Sequence, residues 1–187
     1  MLSKNIPDYV KVYKNVLDDD LCNQTVNHLK NLNWHKHRYF NSTQEQYVQS
    51  DKELSISYDR CANIEVIENK IKETVHRYIS YRFASWFDAC NAVSGIRWNK
   101  YDTGTQMELH CDHIHDLFDG EVKGVPILSI VGSLNDNYSG GEFVMWENTP
   151  IEIPKGAILI FPSNFLYPHQ VNEVKSGTRY TYVSWAC

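Results

Sequence analysis

The stretch "YDTGTQMELHCDHIHD", residues 101–116, holds His110, Cys111, Asp112, His113, His115 and Asp116 within seven positions. Imidazoles, carboxylates and thiolates are the side chains that bind transition metals. If a strand runs through "ELHCD", residues i and i+2 point to the same side. His110 and Asp112 then form one face, and Cys111 and His113, with His115, form the other. The two faces predict different chemistry. An imidazole and a carboxylate, completed by a distant second imidazole, suit Fe(II) and leave three octahedral positions open. A Cys/His/His set suits zinc and calls for a fourth ligand, and no suitable further cysteine lies nearby. A distant histidine is available in His169 of "FLYPHQVNEV", where a strand begins after the "FPSN" turn. Arg179 follows ten residues later in "GTRYTYVSW", an even offset that lets it face the same interior. A buried arginine needs an anionic partner. The distal carboxylate of a dicarboxylate co-substrate would supply one.

The elements that must position these residues fall into two textures. From about residue 93, "GIRWNKYDTG", "VPILSIVGSLN", "GEFVMWEN", "TPIEIPKG", "AILIFPS", "HQVNEV" and "TRYTYVSWAC" are short apolar or alternating runs bounded by Gly, Pro, Asn or Asp. Such spacing predicts a sandwich or jelly roll. "SGGE" and "PKGA" read as tight turns with positive φ at glycine. In residues 1–92, "DDDLCNQTVNHLKNL" (18–32) starts on Asp caps and predicts a helix. "NIEVIENKIKETVHRYISYRF" (63–83) repeats apolar residues every three to four positions and predicts a longer one. "SDKELSISYDR" between them alternates like a strand. The polar segment at residues 40–52 predicts a loop, a candidate substrate lid. The expected fold is mainly β with supporting helices, a single domain over residues 1–187: a helical or mixed part (about 1–92) braces a jelly-roll core (about 93–187).

Bulk properties narrow the function. The chain has 187 residues, enough for one real core. A net charge of -5 with 22% charged residues and no basic stripe predicts no nucleic-acid partner. The first residues lack a signal-peptide apolar region, and no run of ~18 apolar residues occurs, so a cytoplasmic protein without membrane association is expected. Five scattered cysteines without a CxxC pair agree with a reducing compartment. The 13% aromatic content favours β-structure and aromatic pocket walls.

The spacing Y-x-x-G-x-x-x-x-x-H-x-D (Tyr101, Gly104, His110, Asp112), followed by "LSIVGSLND", "GGEF", "IPKGAILIFPS", His169 and Arg179, resembles the Fe(II)/2-oxoglutarate dioxygenases, and most closely their prolyl 4-hydroxylase-like branch. The resemblance covers roughly the C-terminal half. It implies a double-stranded β-helix (a jelly roll, cupin-like) in which His110, Asp112 and His169 hold Fe(II). It implies that Arg179 pairs with the distal carboxylate of 2-oxoglutarate, that Tyr101 hydrogen-bonds this co-substrate, and that Ser129 lines its pocket. O2 is then the third participant, with ascorbate as an aid in vitro. Trp185, six residues after Arg179, resembles the prolyl hydroxylase-like members, whereas alkylated-nucleobase demethylases carry a second Arg there. That implies a proline-containing polypeptide substrate and no nucleic acid. Met107 stands where many prolyl 4-hydroxylases have Tyr facing the substrate, and Pro126 where they often have Arg. These departures keep a free amino acid or another small molecule open as substrate. A non-catalytic metal-binding jelly roll is the third reading. Cys111, His113 and His115 are expected to be bystanders.

Overall fold

The computed structural model describes residues 5–41, 45–83, 92–112, 118–119 and 123–187. In chain order, β1 (Lys11–Tyr13) and α1 (Asp19–Leu29) precede β2 (His35–Lys36), β3 (Tyr39–Asn41), β4 (Gln46–Val48) and β5 (Ser55–Ser57). Then come α2 (Ile64–Phe83), β6 (Arg97–Tyr101), β7 (Met107–His110), β8 (Phe118–Asp119), β9 (Lys123–Gly124) and β10 (Leu128–Ser133). The chain continues with β11 (Ser139–Gly140), β12 (Phe143–Met145), β13 (Thr149–Ile151) and β14 (Ile158–Pro162). It ends with β15 (His169–Val171), β16 (Val174–Ser176) and β17 (Arg179–Ala186).

Both predicted helices form. Asp18 caps α1, its carboxylate accepting from the Leu21 N–H at 2.8 Å, and Asp19 and Asp20 sit favourably in the first turn. Along α2, Ile64, Ile67, Ile71, Val75 and Tyr78 are buried on one stripe. Each buried side chain of this size contributes about 1.5–3 kcal/mol. The segment expected to be a polar loop instead pairs as the hairpin β3–β4, with residues 42–44 outside the described set. Its register sets Tyr39 opposite Val48, Phe40 opposite Tyr47 and Asn41 opposite Gln46.

Two antiparallel sheets face each other. The larger has the order β1-β14-β10-β17-β6-β5-β2 and the smaller β13-β12-β15-β7. This is the expected double-stranded β-helix. Strand parity divides the larger sheet. Trp98, Leu128, Ile130, Ile158, Ile160, Tyr180 and Tyr182 pack with α1 and α2 on its outer face. Tyr101, Val131, Leu159, Phe161 and Val183 point inward against Phe143, Met145 and Val171 of the smaller sheet. The helices therefore brace one face, and the site lies behind the other. The two predicted glycine turns hold, with φ of +68° at Gly141 and +75° at Gly156. Among the described residues no helix is long and apolar enough to cross a membrane.

Candidate metal centre and its pocket

β7 ends at His110 and β15 begins at His169, and these two residues are direct cross-strand partners with ring centroids 4.3 Å apart. Asp112 arrives differently from the sequence expectation. The strand does not run through "ELHCD"; it stops at His110, and Asp112 reaches the same side from a turn. Its Oδ1 lies 3.6 Å from His110 Nε2 and 4.0 Å from His169 Nε2. One ligand atom from each of the three residues falls within 4.8 Å of the others, so this trio could hold one metal ion.

The surrounding hydrogen bonds fix each group in the form a metal needs. His110 Nδ1 is 2.7 Å from the Glu108 carbonyl, and His169 Nδ1 is 3.1 Å from the Tyr167 carbonyl. A carbonyl can only accept, so both Nδ1 atoms carry the proton and both Nε2 lone pairs face inward. Asp112 Oδ2 accepts from Ser129 Oγ at 2.5 Å and from Trp185 Nε1 at 3.0 Å. That leaves Oδ1 turned toward the imidazoles. Burial alone would raise the Asp112 carboxyl. The His110 contact, the two neighbouring imidazoles and the Ser129 hydroxyl outweigh it and hold the group well below the usual carboxylate range. Burial, aided by the neighbouring His110, pushes His169 down to about 4. At neutral pH the pair is therefore carboxylate and neutral imidazole. Phe143 stacks on His169 at 5.2 Å and Phe161 meets its edge at 5.0 Å, which locks the ring.

The pocket in front of the trio is lined by the inward residues of β17, β6 and β10. At its inner end Arg179 is 3% exposed and lies over the Tyr101 ring at 4.9 Å. Arg179 and Tyr101 are cross-strand partners. A Cβ at Gly141 would stand 3.0 Å from Arg179 Cδ, so glycine makes room for the arginine stem. Among the described residues, Arg179 Nε and Thr181 Oγ1 are buried without a hydrogen-bond partner. A buried guanidinium with an unmet donor is costly unless an anion meets it. The donor set thus fits a ligand with a carboxylate at the Arg179 end and metal-chelating oxygens at the other. Burial raises the Tyr101 phenol, which stays protonated as a donor; its OH contacts Met107 Sδ at 3.8 Å. Met107 accordingly lines the pocket.

Every candidate residue within the described set comes to this one place, though two act differently from expectation. Ser129 and Trp185 line the pocket, and both also donate to Asp112. Cys111 is half-buried, with its thiol raised by burial and directed at the Phe165 carbonyl 3.6 Å away. His113, His115 and Asp116 lie outside the described residues. Sequence reasoning missed Arg97 and Asn99, which share the inward face of β6 with Tyr101. The signal was present: in "RWNKY" the alternation that turns Tyr101 inward turns Arg97 and Asn99 inward too. It also missed the buried pair His37–Glu53, whose Nδ1 and Oε2 are 3.1 Å apart. Sixteen positions of sequence separate these two, and no local pattern marks them.

Residues 96–187 match the family model described as the 2OG-Fe(II) oxygenase superfamily. A PKHD-type hydroxylase of Prochlorococcus marinus is 31% identical over 143 residues, covering 74% of this chain and 57% of that relative. The chain thus spans little more than half of that relative's length. Among solved structures, a prolyl hydroxylase from Trichoplax adhaerens, in complex with a hypoxia inducible factor peptide fragment, superposes with a TM-score of 0.70 at 17% identity, covering 95% of this chain and 83% of that one. The viral collagen prolyl hydroxylase of Paramecium Bursaria Chlorella virus-1, in its 2OG complex, gives 0.64 at 19% identity, covering 95% and 94%. At these identities the structural likeness speaks to the fold, which is the double-stranded β-helix.

Proposed function

The chain belongs to the 2OG-Fe(II) oxygenase superfamily, and from that premise we propose that it is a 2-oxoglutarate-dependent dioxygenase hydroxylating a C–H bond, with prolyl residues of a polypeptide as its substrate. One observation carries the catalytic part. Asp112 Oδ1 and the Nε2 atoms of His110 and His169 converge at one end of a pocket whose other end is a buried guanidinium whose Nε has no hydrogen-bond partner among the described residues. In this reading His110, Asp112 and His169 hold Fe(II), and Arg179 takes the distal carboxylate of 2-oxoglutarate. Bound together with dioxygen, these groups supply the oxidation that turns C–H into C–OH, releasing succinate and CO2.

The chain's own residues bind, orient and exclude. Ser129 and Trp185 fix Asp112 so that only Oδ1 is offered to the metal. The Tyr101 ring supports the Arg179 guanidinium, and its phenol donates into the co-substrate's space. Phe143, Phe161, Val131 and Val183 keep the interior dry, which strengthens each charge-assisted contact. Such positioning is the protein's share of the rate when a metal and co-substrate carry the hard chemistry. The polypeptide substrate is supported by Trp185 and by the named relatives, two of which are prolyl hydroxylases. Met107 in the pocket wall favours a second reading, the same chemistry on a free amino acid or other small molecule. We place the protein in the cytoplasm, acting as a single catalytic domain without nucleic-acid or membrane partners.

The test is Fe(II)-dependent release of succinate from 2-oxoglutarate, with and without proline-rich peptides, ascorbate being present. A +16 Da peptide product is expected. Turnover only with free amino acids would select the second reading. No decarboxylation under any condition would refute the enzyme.

A further inference from the structure

We propose that Arg97 is a second carboxylate-binding residue of this pocket, serving a carboxylate other than the one that meets Arg179. The inference rests on the reading above, that the pocket takes 2-oxoglutarate.

Arg97 is only 9% exposed and lines the pocket. Its Nε–H donates to Asn99 Oδ1 at 3.2 Å, and its guanidinium lies over the Trp185 ring at 5.2 Å. A guanidinium has five N–H donors, and Asn99 meets one of them. Among the described residues no carboxylate lies within 4.0 Å of Arg97. The two buried carboxylates on this side are engaged elsewhere. Glu53 Oε2 faces His37 Nδ1, while Asp112 gives Oδ2 to Ser129 and Trp185 and Oδ1 to the imidazoles. A packing role on Trp185 would be met by an uncharged side chain, without the cost of placing a cation at a largely buried position.

Register separates the two arginines. Arg179 pairs with Tyr101 and Arg97 with Val183, four residues further along β17, so their backbones stand roughly 13 Å apart at about 3.3 Å per residue. Trp185 joins Arg97 to the metal side, because the same indole donates to Asp112. Arg179 therefore marks the far end of the pocket and Arg97 the reacting end. Two carboxylates can arrive there: the one next to the keto group of 2-oxoglutarate, or one carried by the substrate to be hydroxylated.

Calorimetry on Mn(II)-loaded protein distinguishes them without turnover. The probes are 2-oxoglutarate, 2-oxobutyrate (which lacks the distal carboxylate), and N-acetylproline against N-acetylprolinamide, the last two added to the 2-oxoglutarate complex. If Arg97 serves the co-substrate, Arg97→Met weakens both 2-oxo acids about 10-fold or more, as expected for losing charged hydrogen bonds, whereas Arg179→Met weakens only 2-oxoglutarate. If it serves the substrate, Arg97→Met leaves both 2-oxo acids unchanged and abolishes a wild-type preference for N-acetylproline over its amide. Should Arg97→Met not fold, Arg97→Lys is held to the same criterion at about 5-fold, since an ammonium does not reproduce the guanidinium fork. The proposal is overturned if the folded variant binds both 2-oxo acids as wild type does and no acid-over-amide preference exists or is lost. Failure of wild-type protein to bind 2-oxoglutarate at all would instead refute the proposed function.

Discussion

Asp112 is held by two donors on one oxygen, and this arrangement makes a quantitative prediction. Ser129→Ala removes the 2.5 Å hydroxyl contact, and Trp185→Phe removes the 3.0 Å indole N–H while keeping an aromatic ring under Arg97. A hydrogen bond to a charged group contributes about 1.5–3 kcal/mol. Loss of a group that orients a metal ligand typically costs about 10–100-fold in metal affinity. Each single variant is therefore expected to bind Mn(II) or Fe(II) about 10-fold or more weakly. The double variant should lose more than the product of the two, because the donors share Oδ2 and each single variant keeps one of them to hold it. The assay is anaerobic competition against a chelator of known affinity, with thermal unfolding of the metal-free protein as a control for folding. If both single variants bind metal within about twofold of wild type, far below the effect expected of orienting groups, the account of how Asp112 is presented is refuted.

Three further outcomes follow from the same structure. Arg179→Met should weaken 2-oxoglutarate binding about 10-fold or more while leaving metal affinity unchanged; it should also raise the melting temperature of the ligand-free protein, because it removes a buried charge whose Nε has no partner. Gly132→Ala should destabilise by about 3 kcal/mol or more, since its Cβ would fall 1.9 Å from Tyr182 Cζ; a melting temperature unchanged in calorimetry would contradict the packing. The metal-free protein should lose stability as pH falls from about 6.5, because His169 titrates at about 4 when folded but near 6.5 when unfolded, so the unfolded state gains protons first. The loss approaches ~3 kcal/mol by about pH 4, Asp112 adds to it in the same direction at lower pH, and His169→Asn should flatten the slope of melting temperature against pH.

The core strands and both helices were legible because local patterns wrote them out: Asp18 before an amphipathic run, the Ile64–Tyr78 stripe, and glycine at Gly141 and Gly156 where the turns need positive φ. The convergence of His110, Asp112 and His169 was legible from residue type and order, although the mechanism inferred for Asp112, strand alternation, differs from the turn that delivers it. Ser129 lines the pocket, yet its bond to Asp112 depends on how β10 faces the turn after β7, a packing fact with no sequence signature. Arg97 and Asn99 are readable from the parity of Tyr101, but an arginine and an asparagine in one short strand carry no metal-ligand signature that marks them as site residues. The His37–Glu53 pair and the β3–β4 hairpin depend on contacts between separated polar residues, which periodicity does not report.

The central claim is that one pocket joins a His110/Asp112/His169 iron face to an Arg179 carboxylate seat. It is tested most directly by anaerobic titration of Fe(II)-loaded protein with 2-oxoglutarate, followed by visible charge-transfer absorption. The account predicts a saturable band at one equivalent of iron, absent in Asp112→Ala and requiring about 10-fold or more 2-oxoglutarate in Arg179→Met. A wild-type protein that shows no band, or a band that Asp112→Ala leaves intact, would contradict it.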